Sequence, residues 1–261
     1  MKDYQVELEF AKQLALKAGE IITKNFLHST ITIKSNLTPV TETDLAVSKL
    51  VIEEVKKNFP NHEVFDEEFQ HENHDAEYIW VCDPVDGTIP FSHHIPTSMF
   101  SLALCHNEEP VVAVTYDPFM KRLLYTKTRS PSFMNGKEIH VKTGKFIPGE
   151  FIYGIPYWNK EFNTNKYLSL TFGKKIRVTF IESIIYQSML VATGISKAMV
   201  MTAANPWDRA AAKMIIENAG GICTDENDKR LTVFGNPLYF IATNKDVHEE
   251  IMEIVQQCLH K

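Results

Sequence analysis

The stretch Trp80-Val81-Cys82-Asp83-Pro84-Val85-Asp86-Gly87-Thr88-Ile89-Pro90-Phe91 holds the densest chemistry in the chain. The short apolar run at 79–82 predicts a strand that stops at Asp83 and leaves that carboxylate at its C-terminal edge. Pro84 stiffens the turn, and Asp86 follows three residues after Asp83. Two carboxylates on one rigid turn can converge on a hard cation, with the Val85 carbonyl as a third oxygen. Gly87 lets backbone approach an anion closely, and Thr88 adds a hydroxyl beside exposed N–H groups. Asp86-Gly87 alone would read as a tight turn. The whole Asp-Pro-x-Asp-Gly-Thr string behind a strand is more specific.

Other acidic positions are individually ordinary. Asp66-Glu67-Glu68 opens a polar segment running to Glu77, which taken alone is a solvated loop. Beside an Asp-rich turn, one of these glutamates could bridge cations. His71 and His74 lie in the same segment, but the remaining candidate ligands are oxygens, which favour magnesium or manganese over zinc. Both histidines are read as loop residues. Asp208, in Pro206-Trp207-Asp208-Arg209, suits the first turn of a helix, where a carboxylate meets the helix dipole. Asp44 stands three residues after Thr41, the spacing of a capping box.

The elements that must position these groups are legible in outline. Val6, Phe10, Leu14, Ala18, Ile21 and Ile22 predict a long amphipathic first helix. After a polar break at 34–38, the Thr41/Asp44 box predicts a second helix that Pro60 and Asn61 end. Residues 100–105 and 111–116 predict a hairpin, and 122–126 a further strand. Beyond a loop region at 131–148, strands at 151–153, 176–180 and 197–201 alternate with helical segments. A helix from Pro206 ends at Gly220-Gly221, a strand covers 239–243, and an amphipathic helix covers 246–259. Helices in front, a strand-rich centre and later alternation predict layered α/β or α+β packing.

Composition narrows the class. The chain has 261 residues, with 27 Lys+Arg against 33 Asp+Glu, a net charge of −6 and no basic block. That balance argues against a nucleic-acid groove or an anionic membrane surface. The 16 Phe, 9 Tyr and 3 Trp supply ample material for a core, which argues against disorder. No apolar run reaches the roughly 18 residues of a membrane span. The N-terminal MKDYQVELEF lacks signal-peptide character. Cys82, Cys105, Cys223 and Cys258 are far apart without a CxxC pair, so reduced thiols in a cytoplasmic protein are expected.

Taken together, these pieces make the sequence resemble the inositol monophosphatase family of magnesium-dependent, lithium-sensitive phosphatases over essentially its whole length. The resemblance rests on Val40-Thr41-Glu42-Thr43-Asp44, Asp66-Glu67-Glu68, the 80–91 string, Met134-Asn135-Gly136, Val191-Ala192-Thr193-Gly194, and Trp207-Asp208 through Gly221. It implies metal ligands at Glu67, Asp83, the Val85 carbonyl, Asp86 and Asp208, with about two or three Mg²⁺ ions per site. It implies that Asp44 and Thr88, as catalytic residues with Glu67, serve in-line attack of a metal-activated water on a small phosphate ester, with no phosphoenzyme. Asp86, Gly87, Thr88 and Asp208 would contact substrate, and Lys34 falls where the family has a lysine on a loop over the site. A layered αβαβα sandwich and a homodimer are the implied architecture. One domain covers 1–261, with a metal-site lobe at 1–145 and a substrate and dimer lobe at 146–261.

The departures from the family pattern lie on the substrate side. Pro90 stands where Asn is common and His94 where Gly is. Glu182-Ser183-Ile184 replaces a Gly-Ser/Thr-Ala segment, which makes Glu182 and Ile184 candidate substrate contacts. Met201 replaces the carboxylate that grips inositol hydroxyls, and Ala212 replaces a Gly. A thioether is a far weaker acceptor than a carboxylate. Fructose 1,6-bisphosphate, a 3′-phosphoadenosine nucleotide, NADP and histidinol phosphate therefore stand as alternative substrates. A regulatory binding protein that retains the fold is the reading from another class.

Overall fold

The computed structural model describes residues 2–33, 39–69, 76–154, 161–202 and 205–259. Lys34, His71 and His74 lie outside them. The opening pattern forms α1 (Gln5–Asn25), which buries Leu8, Ala11, Leu14, Ala15, Ala18 and Ile22 at steps of three and four. Val6 was expected on that stripe but is 72% exposed, because the buried face runs through Tyr4, Glu7, Leu8 and Ala11 and Val6 points away from it. Strands β1 (Ile31–Ile33) and β2 (Pro39–Thr41) pair antiparallel ahead of α2 (Glu42–Asn58). Helix α2 starts at the expected capping box: Thr41 Oγ1 accepts from the Asp44 N–H, and Asp44 accepts from the Thr41 N–H at 2.9 Å.

A seven-stranded sheet follows in sequence order: β3 (Glu63–Asp66), β4 (Tyr78–Asp86), β5 (Met99–His106), β6 (Glu109–Asp117), β7 (Arg122–Lys127), β8 (Phe133–Met134) and β9 (Lys137–Glu138). Only the β3–β4 pair is parallel. A single-turn helix, α3 (Thr88–Ser92), leaves the end of β4. The strand does not stop at Asp83 as expected. It continues to Asp86 with a register shift between the two aspartates, because Asp83 and Asp86 both still pair with β5 around a bulge. Asn135 and Gly136, with φ of 49° and 82°, make the tight β8–β9 turn.

The second half gives β10 (Phe151–Tyr153), α4 (Thr164–Gly173), β11 (Arg177–Thr179), α5 (Ile184–Ala192), β12 (Ala198–Thr202), α6 (Pro206–Asn218), β13 (Ile222–Thr224), β14 (Tyr239–Thr243) and α7 (His248–Cys258). Its five strands order as β11-β10-β12-β14-β13. The boundary expected between 145 and 146 falls in the connection from β9 to β10.

Alternation along the strands explains the stacking, since successive side chains leave opposite faces. Trp80, Leu102, Leu104, Val112 and Val114 pack under α1 and α2. Val81, Ala103, Cys105 and Ala113 face the other way, into a core shared with α5, α6 and the inner residues Met199, Phe240 and Ala242 of the second sheet. Val200, Tyr239 and Ile241 face outward onto α4 and α7. The result is five layers, αβαβα, of mixed α+β type. Helix α6 is covered on nearly every side, and its Arg209 and Lys213 are buried. No helix among the described residues is long and apolar enough to cross a membrane.

Candidate active site

Two chain segments deliver three carboxylates to one place. Asp83 and Asp86 flank the β4 bulge, and Asp208 comes from the first turn of α6. One oxygen from each of the three lies within 4.8 Å of the others. All are buried, at 2%, 6% and 7% exposure. Each accepts from backbone N–H groups. Asp83 accepts from the Val85 N–H at 3.1 Å and Asp208 from the Asn205 N–H at 2.8 Å. Asp86 sits on the N-terminus of α5, where it accepts from the Ile184 and Ile185 N–H groups at 3.1 and 2.8 Å and from the Ser183 hydroxyl.

Thr88 begins α3 directly after Gly87. Its hydroxyl lies 3.3 Å from Asp44 Oδ1 and 3.3 Å from the Val85 carbonyl oxygen. Asp44 is fully buried, and its second oxygen is taken by the Thr41 N–H and hydroxyl. Gly87 has φ +86°, and a Cβ there would sit 2.9 Å from the Glu182 carbonyl oxygen. The position therefore requires glycine twice over, for its backbone conformation and for the close approach of the loop before α5.

Burial pushes the Asp83 carboxyl well above the usual range, and the charges of Glu67, Asp86, Asp208 and Asp44 push it the same way. Burial likewise carries Asp86 to about 6, against the hydrogen bonds from Ser183, Ile185 and Ile184. Asp208 rises to about 7, through burial and then the Asp86 charge. Asp44 is raised by burial, opposed by its hydrogen bonds to Thr41 and Thr88. Several carboxylates that each bind a proton too tightly form a site that needs positive charge. Buried, all-oxygen donors on rigid backbone suit Mg²⁺ or Mn²⁺.

Glu67 leaves the end of β3 and lines the same cavity, of about 380 Å³, as Asp86, Thr88 and Asp208. The structure therefore gathers Asp44, Glu67, Asp83, Val85, Asp86, Gly87, Thr88 and Asp208 into one region. Glu182 and Ile184 line the same cavity, as does Met201. Sequence reading missed Asp66, whose Oδ1 accepts from the Glu68 and Phe69 N–H groups at 2.9 and 3.2 Å and so shapes the turn that carries Glu67. It also missed Ser183, which caps α5 by accepting from the Tyr186 N–H at 3.0 Å while donating to Asp86. A serine directly ahead of an apolar helical run is the signal that marks it. Pro39, Ile89 and Phe180 complete the cavity walls and carry no sequence signal of their own. His94, where the family commonly has glycine, adopts φ 58°.

All four cysteines are free and buried. A family model described as "Inositol monophosphatase family" matches residues 3–260. A Thermotoga maritima protein named fructose-1,6-bisphosphatase/inositol-1-monophosphatase is 30% identical over 222 residues, 85% of this chain and 84% of that one. The Nus factor SuhB of Escherichia coli K12 is 29% identical over 265 residues, covering 96% of this chain and 98% of that one. The solved structure of a Thermotoga maritima IMPase superposes with a TM-score of 0.86 at 28% identity, over 97% of this chain and 98% of that one. With its fold, its motifs and its full length accounted for in this way, the chain belongs to the inositol monophosphatase family.

Proposed function

We propose that the chain is a magnesium-dependent phosphomonoesterase acting on a small phosphate ester of the inositol or sugar phosphate kind. The observation that carries the reading is the meeting of Asp83, Asp86 and Asp208 within 4.8 Å, in the region where Thr88 bonds Asp44. Glu67, Asp83, the Val85 carbonyl, Asp86 and Asp208 would hold about two or three Mg²⁺ ions. Bound there, the cations would neutralise the carboxylates and the phosphate dianion and acidify a water.

The chain's own groups supply orientation. If the Thr88 proton goes to Asp44, a lone pair on Oγ1 is left to accept from the attacking water. Asp44 is itself locked by Thr41, so the pair is set before substrate arrives. Gly87 and Thr88 receive the phosphate in this reading, and Asp86 and Asp208 border it. The water oxygen adds to phosphorus in line, the P–O bond to the leaving group breaks, and the departing alcohol carries a proton away. No side chain becomes phosphorylated.

Purified protein in Mg²⁺ should release phosphate from inositol 1-phosphate or glycerol 2-phosphate, and Asp83→Asn should abolish the release. Equal hydrolysis by that variant would overturn the reading. Family membership supports a homodimer, which light scattering after gel filtration checks. Four free buried thiols support a reducing compartment such as the cytoplasm.

A further inference from the structure

The first turn of α5 decides which face of Asp86 is open. Asp86 receives the Ser183 hydroxyl and the Ile185 N–H on Oδ2, and the Ile184 N–H on Oδ1. The Tyr186 N–H donates to Ser183 Oγ at 3.0 Å and lies close enough to Asp86 to stabilise its charge. A carboxylate oxygen has about two lone pairs, so Oδ2 is filled while Oδ1 keeps room for a cation. That division holds only while residues 183–186 stay where they are.

The turn is tied to the seven-stranded sheet through a side chain outside the cavity. The Tyr186 hydroxyl accepts from Arg122 Nη2 at 2.8 Å, and the guanidinium carbon stands 5.1 Å from the ring centroid. Arg122, at the start of β7, is itself set in place. Its Nε and Nη2 both donate to Asp117 Oδ2, at 2.8 and 2.6 Å, and Asp117 is fully buried. Asp117 Oδ1 takes the Phe119 and Met120 N–H groups at 3.0 and 3.1 Å, which ties the pair to the β6–β7 turn. Charge-assisted bonds of this length hold a guanidinium in one orientation. A strut thus runs from the β6–β7 turn through Arg122 and Tyr186 to Ser183 and Asp86.

We infer that Tyr186 is a positioning residue for the metal site: braced by Arg122, it fixes the first turn of α5 and so presents Asp86 with Oδ1 toward a cation. The inference rests on the metal-dependent phosphatase reading and extends it to a side chain that is not among the proposed ligands. Groups that bond a metal ligand from outside change metal affinity by about 10- to 100-fold. Ser183 is such a group. Tyr186 acts one bond further away, so its hydroxyl should count for less.

Calorimetric Mg²⁺ titration of Tyr186→Phe, without substrate, is the test. The variant keeps the ring and leaves Arg122 paired with Asp117, so no buried charge loses its partner. Mg²⁺ affinity should fall by about threefold to tenfold. The Mg²⁺ concentration for half-maximal phosphate release should rise by the same factor, while kcat at saturating Mg²⁺ stays within about twofold of the parent. Ser183→Ala should lose about 10- to 100-fold in affinity. The double variant should lose less than the product of the two single losses, because both act on Asp86 through one turn. Ile251→Val, in the core under α7, is the control: it should lower Tm and leave Mg²⁺ affinity unchanged. If Tyr186→Phe lowers Tm and binds Mg²⁺ as the parent does, or if the double loss is the full product, the inference is wrong while the phosphatase reading stands. If the parent binds Mg²⁺ but releases no phosphate from the esters named above, that reading fails, and the affinity losses still decide the role of Tyr186.

Discussion

The Thr88 hydroxyl meets Asp44 Oδ1 at 3.3 Å across 44 positions of sequence, joining the first turn after β4 to the first turn of α2. The same aspartate closes the capping box of α2 through its other oxygen. One buried carboxylate thus fixes a helix end and a hydroxyl of the proposed active site together. The capping role of Asp44 is seen directly, and its part in catalysis is the proposed one.

That double duty separates two variants. Thr88→Ala removes only the hydroxyl and should lower kcat by about a hundredfold or more through lost orientation of the water. Its Mg²⁺ titration should stay close to the parent's. Asp44→Asn should lower kcat at least as much and also lower Tm, because the cap weakens by about 1 kcal/mol. Kinetics and thermal melts on the two variants check the split; unchanged kcat in Thr88→Ala would remove the hydroxyl from the mechanism.

The carboxylate cluster sets the metal dependence. Activity should be lost in EDTA and return with Mg²⁺ or Mn²⁺, whereas Ca²⁺ should inhibit, since the larger ion relaxes the tight octahedral geometry that Mg²⁺ enforces. Asp83→Asn removes a donor from the centre of the cluster and should weaken Mg²⁺ binding measured by calorimetry, with turnover nearly gone. Full activity in EDTA contradicts the whole arrangement.

Much of this site was readable because its residues lie in short local strings. Asp83, Asp86, Gly87 and Thr88 are neighbours, and the Thr41/Asp44 box is a local spacing. The continuation of β4 past Asp83 was hidden, because Pro84 suggests a turn and the bulge that keeps Asp86 paired arises from contacts with β5. The parallel strand β3 was hidden too, since its acidic ends disguise a core residue at Phe65. The walls at Pro39, Ile89 and Phe180 come from three distant segments, and only the folded chain brings them together.

Removal of metal should make stability depend on pH in a particular direction. Asp86 and Asp208 bind protons more tightly folded, near 6 and 7, than the ordinary 3.8 of an unfolded aspartate. Folding then takes up protons between about pH 4 and 7, so this contribution is present at low pH and is lost as pH rises through the folded values. His62, lowered first by burial and then by Lys2, gives the opposite slope over part of that range. The informative quantity is therefore the difference between melting curves with Mg²⁺ and with EDTA. It should widen from pH 5 to 7.5, and because 1 kcal/mol moves Tm by about 2–4 °C in a chain approaching this size, the widening is measurable. A constant difference across that range would show that these carboxylates do not take up the protons.

Asp66 gives the last prediction, because it is buried without being near enough in role to count as a ligand. Its Oδ1 receives two backbone N–H groups, from Glu68 and Phe69, and thereby holds the turn in which Glu67 points its carboxylate toward the shared cavity. Its Oδ2 has no hydrogen bond of ordinary geometry among the described residues, although the Ser48 and Cys82 side chains lie close enough to stabilise the carboxylate. Burial also raises its pKa, so the negative charge is a cost at this position and the acceptor oxygen is the useful part. Asp66→Asn keeps that acceptor, sets an amide beside the Ser48 hydroxyl in place of the second oxygen, and should leave Mg²⁺ affinity within a few-fold of the parent. Asp66→Ala frees both N–H groups and should weaken Mg²⁺ binding by about 10- to 100-fold, the range typical of residues that orient a metal ligand. Tm should also fall, with two hydrogen bonds lost at about 1 kcal/mol each. Calorimetric Mg²⁺ titration of both variants distinguishes the cases. Loss of affinity in Asp66→Asn equal to that in Asp66→Ala would mean the charge matters rather than the turn, and would make Asp66 part of the metal site's electrostatics.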